Sequence, residues 1–176
     1  MLKKMKYIIR SDFINEGGSA EFYPIYKNKN LGFKQFSSKK EANYAYQKQK
    51  LLSSLGLAPK VIGKVCKLNI DLGYYKDKTN WGFITEKAKV LTEKTFGKKI
   101  QEIQNLVNNI QEKTQLKFWD CHYYNLGYVK RKNKAKLVCI DTGKESFSPL
   151  CNAWGNENPG PKCTLCDQFS CECWNY

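Results

Sequence analysis

Two short runs carry the side chains best suited to chemistry: Phe118-Trp-Asp-Cys-His-Tyr-Tyr-Asn-Leu-Gly-Tyr-Val129 and Leu137-Val-Cys-Ile-Asp-Thr-Gly143. Asp120 stands five positions before Asn125, and Asp141 opens an Asp-x-Gly turn. Phosphoryl transfer from a magnesium nucleotide needs oxygens of this kind. One carboxylate orients the accepting hydroxyl, while an amide oxygen and a second carboxylate hold the metal against the phosphates. A second cluster lies at the end of the chain, where Cys163-Thr-Leu-Cys166 is followed by Cys171-Glu-Cys173. Four thiolates so close can wrap a tetrahedral zinc ion, with Cys151 as an alternative ligand. In a reducing compartment metal is favoured; in a virion or a secreted protein the same cysteines would pair as disulfides.

The elements that must position these groups follow from periodicity and turn chemistry. A strand is expected near Tyr7–Ile9, a turn at Glu16-Gly-Gly-Ser-Ala20, and extended stretches over 21–26 and 31–36 joined by Lys27–Asn30. Ser38-Lys-Lys-Glu41 is a capping box that opens a helix running to about Leu55, stopped by Gly56 and Pro59. Strands are expected over 61–66, 68–75 and 81–85. Ile100, Ile103, Leu106, Val107 and Ile110 recur at helical spacing, which predicts one long helix over 91–114. A hairpin, 126–129 with 137–140, then crosses the loop 130–136. The class is α+β, sheet-rich first and helical second.

The chain has 176 residues, 30 Lys plus Arg against 16 Asp plus Glu, and a net charge of +14. Residues 144–176 carry two basic and four acidic side chains, leaving 28 basic and 12 acidic groups, net +16, on the body. Only Arg10 and Arg131 are arginines, whereas base readout favours Arg forks. Nucleic acid is therefore a lesser reading of the charge, and any polyanion, nucleotides included, would serve. No apolar run approaches the roughly 20 residues that span a membrane, and the basic start lacks a long apolar segment or a cleavage site. The expectation is a soluble, cytoplasmic protein without a membrane partner.

With these pieces in order, the sequence resembles the protein-kinase-like family. Asp120 and Asn125 match its catalytic loop, Asp-x-x-x-x-Asn, and Asp141-Thr-Gly143 stands where the family has Asp-Phe-Gly. The form Asp-Cys-His-Tyr-Tyr-Asn is similar to the aminoglycoside-phosphotransferase, atypical and small phage or viral branches. Phe33-Lys34 falls on the third strand, where the phosphate-binding lysine belongs. Gly82-Phe-Ile-Thr-Glu-Lys-Ala88 looks like the linker that holds adenine through its backbone, and Leu55-Gly-Leu-Ala-Pro-Lys-Val61 resembles the connection after the first helix. The likeness covers about residues 14–146.

The resemblance implies a minimal bilobal fold: an N-lobe and linker at 1–88, a curtailed C-lobe at 89–146, and a cysteine-rich tail at 147–176. It implies ATP and magnesium as cofactors, with Lys34, Asp120 and His122 in the catalytic set and Asn125 and Asp141 on the metal. Gly17, Gly18, Ser19, Thr85, Glu86 and Ala88 would complete the nucleotide site. His122 is read as orienting its loop, and Thr85 equally as plain core. The acceptor would be a protein or a small molecule, in the cytoplasm of a host cell or in a virion if the source is a phage or virus.

Four departures bear on activity. The glycine-rich loop is reduced to Gly17-Gly-Ser19, and threonine replaces the Phe of Asp-Phe-Gly. Between Ala42 and Ile70 there is no Asp or Glu, so Lys34 lacks the usual helix glutamate; Gln47, or Lys48 if the alignment slips by one, is the expected equivalent. The residues after Gly143 leave no room for a peptide-docking lobe. A zinc-stapled tail or a protein partner would take its place. The rivals to a kinase are a nucleotide-binding or inert pseudokinase used as an interaction module, and a basic nucleic-acid-binding protein with a zinc knuckle.

Overall fold

The computed structural model describes residues 15–16, 20–25, 28–67 and 81–149. Its elements are α+β, with every strand pairing antiparallel. The first half is a five-stranded sheet of β1 (Asn15–Glu16), β2 (Ala20–Ile25), β3 (Asn28–Phe36), β4 (Val61–Lys67) and β5 (Trp81–Glu86), in the order β1-β2-β3-β5-β4. Alternation along β3 and β5 divides their side chains between two faces. Phe36 and Phe83 stack at 5.7 Å on one face, with Tyr46 edge-on to Phe83 at 5.5 Å. Phe33, Ile84 and Ile25 pack on the other. Gly82 is required where β5 meets β3, because a Cβ there would lie 2.1 Å from the Lys34 carbonyl oxygen.

Helix α1 (Lys39–Ser54) lies against the sheet through fully buried Ala42 and Ala45, whose small side chains let the backbone approach closely. Ser38 caps it as expected, accepting the Glu41 N–H at 3.2 Å. The return half of the box does not form: the Glu41 carboxylate takes the Ser37 hydroxyl instead. Gly56 ends the helix at φ 72° with Leu57 N–H bonded back to the Leu52 carbonyl, a left-handed cap that glycine adopts without strain.

The single helix expected over 91–114 is two helices, preceded by a short strand. Residues Lys89–Val90 form β6, the five-residue α2 covers Glu93–Gly97, and α3 covers Ile100–Thr114. Leu91 N–H is drawn to the Leu126 carbonyl at 3.0 Å, Thr92 and Thr95 cap one another to start α2, and α2 ends at Gly97 with the Lys99 N–H turned back to the Phe96 carbonyl at 2.9 Å. The apolar period survives on α3 as buried Ile103, Leu106 and Ile110, while Ile100 stands 39% exposed.

Gln115, at φ 56°, turns the chain out of α3 into β7 (Leu116–Phe118). The three-residue β7 pairs with β10 (Phe147–Pro149), a contact the sequence reading did not anticipate, and Phe118 stacks on Phe147 at 5.0 Å. Strands β8 (Leu126–Arg131) and β9 (Lys134–Cys139) join β6 in a third sheet. The expected loop 130–136 shrinks to Lys132-Asn133, both at positive φ, the geometry of a two-residue hairpin turn matched to strand twist. Leu52 and Leu57 from the end of α1 join Ile103, Ile110, Leu126 and Cys139 in the core of this half. The strands expected at 7–9 and 68–75 lie outside the described residues.

Candidate functional site

Strand β3 delivers Lys34 from the sheet to the end of β9. Its stem is buried and its Nζ donates to the Ile140 carbonyl at 3.0 Å, 3.6 Å from Asp141 Oδ1. Helix α1 offers it no carboxylate. Gln47, the expected equivalent of the helix glutamate, is exposed. Lys48 lies over the rings of Tyr44 and Phe147 at 5.2 and 5.3 Å. The inward-facing residue is Gln49, two positions on, because Ala42, Ala45, Gln49 and Leu52 form the helical buried stripe.

Asp141 leaves β9 with both carboxylate oxygens held. Oδ1 accepts the Gly143 N–H at 3.0 Å and Oδ2 accepts the Ser146 hydroxyl at 2.6 Å. Burial alone would push its carboxyl up. The Lys34 charge, the Ser146 hydroxyl and the Gly143 and Thr142 N–H groups together outweigh that and hold it below the ordinary range, so it is ionised. A Cβ at 143 would come within 2.8 Å of Glu145 Oε1, the end of an exposed side chain that can move aside.

Asp120 follows β7 in a loop drawn tight by its own backbone. Its carbonyl accepts the His122 N–H at 3.0 Å and the Asn125 side-chain amide at 2.9 Å. His122 Nε2 lies 3.3 Å from Asp120 Oδ1, and its ring stacks on Tyr124 at 5.2 Å. Burial raises the Asp120 carboxyl above its ordinary value; Asp141 and Glu145 push the same way, against His122 and the Asn125 amide. The result is a carboxylate with more appetite for a proton than its neighbour, which suits a group that orients an acceptor hydroxyl. Asn125 closes a 3₁₀ turn, Tyr123–Asn125, and accepts the Ile140 N–H at 2.9 Å. That single bond fixes the catalytic-loop candidate against the residue before Asp141. With its amide nitrogen on Asp120, the buried Asn125 keeps an amide oxygen that no described donor takes.

Compared with family models and with curated proteins, the chain matches none. The site is therefore read from its geometry.

The segment after β5 divides its groups in an informative way. The Thr85 hydroxyl is buried, accepting from Gln49 at 2.5 Å and donating to the Lys60 carbonyl at 3.1 Å. The Glu86 carboxylate pairs with Arg131 and accepts the Lys60 N–H at 3.1 Å. Backbone N–H groups of Glu86 and Lys87 go to Lys60 and Asn30 at 2.9 and 2.8 Å. The Ala88 N–H takes no backbone acceptor among the described residues. So the side chains of Thr85 and Glu86 serve the fold, and the Thr85 hydroxyl also lies 3.4 Å from the Glu86 carbonyl oxygen.

Gly17, Gly18 and Ser19, between the paired strands β1 and β2, lie outside the described residues, as do Cys151, Cys163, Cys166, Cys171 and Cys173. Among the described residues no group of three or more His, Cys, Asp or Glu is arranged to hold a metal. Cys66, Cys121 and Cys139 are free thiols. Burial pushes Cys121 up to about 12 and Cys139 well above the ordinary value, so neither is a nucleophile at neutral pH. Ser146 and Gln49 are the two site residues the sequence reading missed. Gln49 was signalled by its place in the buried stripe of α1; Ser146 had no signal beyond its nearness to Asp141. No helix among the described residues is long and apolar enough to cross a membrane.

Proposed function

We propose that this chain is an ATP-dependent phosphotransferase with a minimal protein-kinase-like, bilobal fold, acting on the hydroxyl of a protein or a small molecule. The observation that carries the reading is one convergence. Lys34, Asp120, Asn125 and Asp141 come from β3, the loop after β7, the 3₁₀ turn and the end of β9. They are joined by the 3.6 Å Lys34–Asp141 pair, the 2.9 Å Asn125–Asp120 bond and the 2.9 Å Ile140–Asn125 bond. They are also the residues that the resemblance names.

The roles follow from chemistry. Lys34 has three N–H donors, of which Ile140 takes one and Asp141 attracts another; the third is free to meet a phosphate oxygen. The Asn125 amide oxygen and the ionised Asp141 are hard oxygen donors of the kind magnesium prefers, and they fit it. Bound there, the metal would neutralise charge on the transferring phosphoryl group. Asp120 would accept a hydrogen bond from the acceptor hydroxyl, with His122 keeping its loop in shape. The Ala88 N–H and the Glu86 carbonyl would meet a purine edge. The tail cysteines Cys163, Cys166, Cys171 and Cys173 would bind zinc as a structural staple.

Thermal unfolding with ATP, with and without Mg²⁺, tests the reading. A ligand at a hundred times its Kd stabilises by about 2.7 kcal/mol, so Mg-ATP should raise the Tm, and Asp141→Ala should abolish both the Mg-dependent part and any turnover. No shift at millimolar nucleotide would refute it. A second reading, a nucleotide-binding pseudokinase serving as an interaction module, draws on Lys34, which pairs with Asp141 and with no carboxylate of α1 among the described residues. It predicts the same thermal shift with no ATP turnover.

A further inference from the structure

A line of buried polar groups runs beneath the site and contributes nothing to its surface. Gln49 is 1% exposed, Thr85 3%, and Thr142 wholly buried. Gln49 Nε2 donates to the Thr85 hydroxyl at 2.5 Å and to the Pro59 carbonyl at 3.1 Å, and its Oε1 accepts the Thr142 hydroxyl at 3.5 Å. Thr85 in turn bonds the Lys60 carbonyl, which also holds the Glu86 N–H. One amide thus joins three places far apart in sequence: the end of β5, the loop before β4, and the residue next to Asp141.

A buried amide is costly unless all its groups are satisfied. An apolar residue would fill the same place on α1, between Ala45 and Leu52, with no such requirement. The amide brings direction instead. One hydrogen of Nε2 is committed to Thr85 on β5 and the other to Pro59 before β4, so the orientation of Oε1, and with it the Thr142 hydroxyl, is set by those two bonds. Thr142 is bonded in the chain to Asp141, whose Oδ1 is aimed by the adjoining Gly143 N–H. The Thr142–Gln49 bond is the longest in the line, near the limit for a hydrogen bond. The loop is therefore held to the helix by its weakest link.

We infer that Gln49 is a positioning residue, the centre of a Thr85–Gln49–Thr142 relay that couples nucleotide binding at the 86–88 segment to placement of the Asp141 carboxylate for its metal. This deepens the phosphotransferase reading and rests on it. Nucleotide seated against the 86–88 backbone tightens the Thr85 end, and the gain is passed to the loop as a firmer Thr142 contact.

The test is calorimetric titration of the full chain with ATP, in the presence of Mg²⁺ and in the presence of a chelator. Thr142→Val keeps the shape and removes the hydroxyl. It should cut the Mg²⁺-dependent gain in ATP affinity about fivefold, the usual weight of one neutral hydrogen bond, and leave metal-free affinity unchanged. Thr142→Ser should restore the gain. Equal losses in both arms, or no loss in either, overturn the relay while leaving the parent reading intact. Absence of ATP binding to the unaltered chain in both arms refutes the parent reading, and the relay falls with it. Hydrogen exchange on the unaltered chain covers the case of a variant that does not fold. Mg-ATP should slow exchange on the α1 turn around Gln49 as well as at 142–143; protection of the loop alone overturns the relay.

Discussion

Lys34 and Asp141, separated by more than a hundred residues, form a close charge pair whose side chains are 11% and 16% exposed. A pair so placed is costly to dismantle from one side only, since the surviving charge is left in a poor solvent. This makes the pair a sensitive point for both stability and function.

Lys34→Met should therefore destabilise the fold by about 3–5 kcal/mol, the usual cost of orphaning a buried charge. Adding Asp141→Asn should recover much of the loss, because the orphan is then neutral. Denaturant unfolding of the two single variants and the double variant measures the coupling. Nucleotide binding should be weakened in all three.

Ser146→Ala removes one donor from Asp141 Oδ2 and should cost about 1.5–3 kcal/mol at neutral pH, as for hydrogen bonds to charged groups. The sign of its pH dependence follows from linkage. Asp141 has a depressed folded pKa, so its contribution is complete above the ordinary carboxylate value and fades as pH falls below 3.8. Wild type and variant should converge in stability under acid. Equal differences at pH 7 and pH 3 would mean that the serine acts by packing.

Asp120 has the opposite balance. Its raised pKa means that ionisation weakens the fold, and stability present in acid is lost as pH rises through the folded pKa. Asp120→Asn should abolish turnover yet raise the neutral-pH Tm. The acid limb of the activity profile should lie above the ordinary aspartate value. A limb at or below 3.8 would exclude Asp120 as the titrating group.

For the tail, reduced and purified protein should carry stoichiometric zinc by metal analysis, and a chelator should lower its Tm. Cys163→Ser should lose the metal. Zinc-free protein with all five tail thiols alkylatable would remove the metal staple; protected thiols would assign disulfides.

What could be read from the sequence was local. The Ser38 cap, the stop at Gly56 and the two-strand hairpin before Asp141 are each decided within a few residues. Ile103, Leu106 and Ile110 gave away the buried face of α3, but periodicity cannot see the backbone turn in which Lys99 N–H bonds the Phe96 carbonyl, so the break at 98–99 was hidden. The β7–β10 pairing was invisible for another reason: three residues are too few to show a pattern, and their partners lie about thirty positions away. Asp120, Asn125 and Asp141 were legible as types at a spacing. Their arrangement was not, since it depends on backbone bonds such as Ile140 to Asn125. Gln47 against Gln49 is a matter of angle, as two helical steps turn a side chain through about 200°.

Helix α1 contributes Ala42 and Tyr46 to the packing of the first sheet, and Leu52 to the core beneath α3. It is a splint set across both halves. Neither half can lose its packing without loosening an end of the same rod, so the described body should melt in one cooperative step. On the proposed function, any opening for a nucleotide comes from the strands and loops around Lys34 and Asp141, with the helix held still.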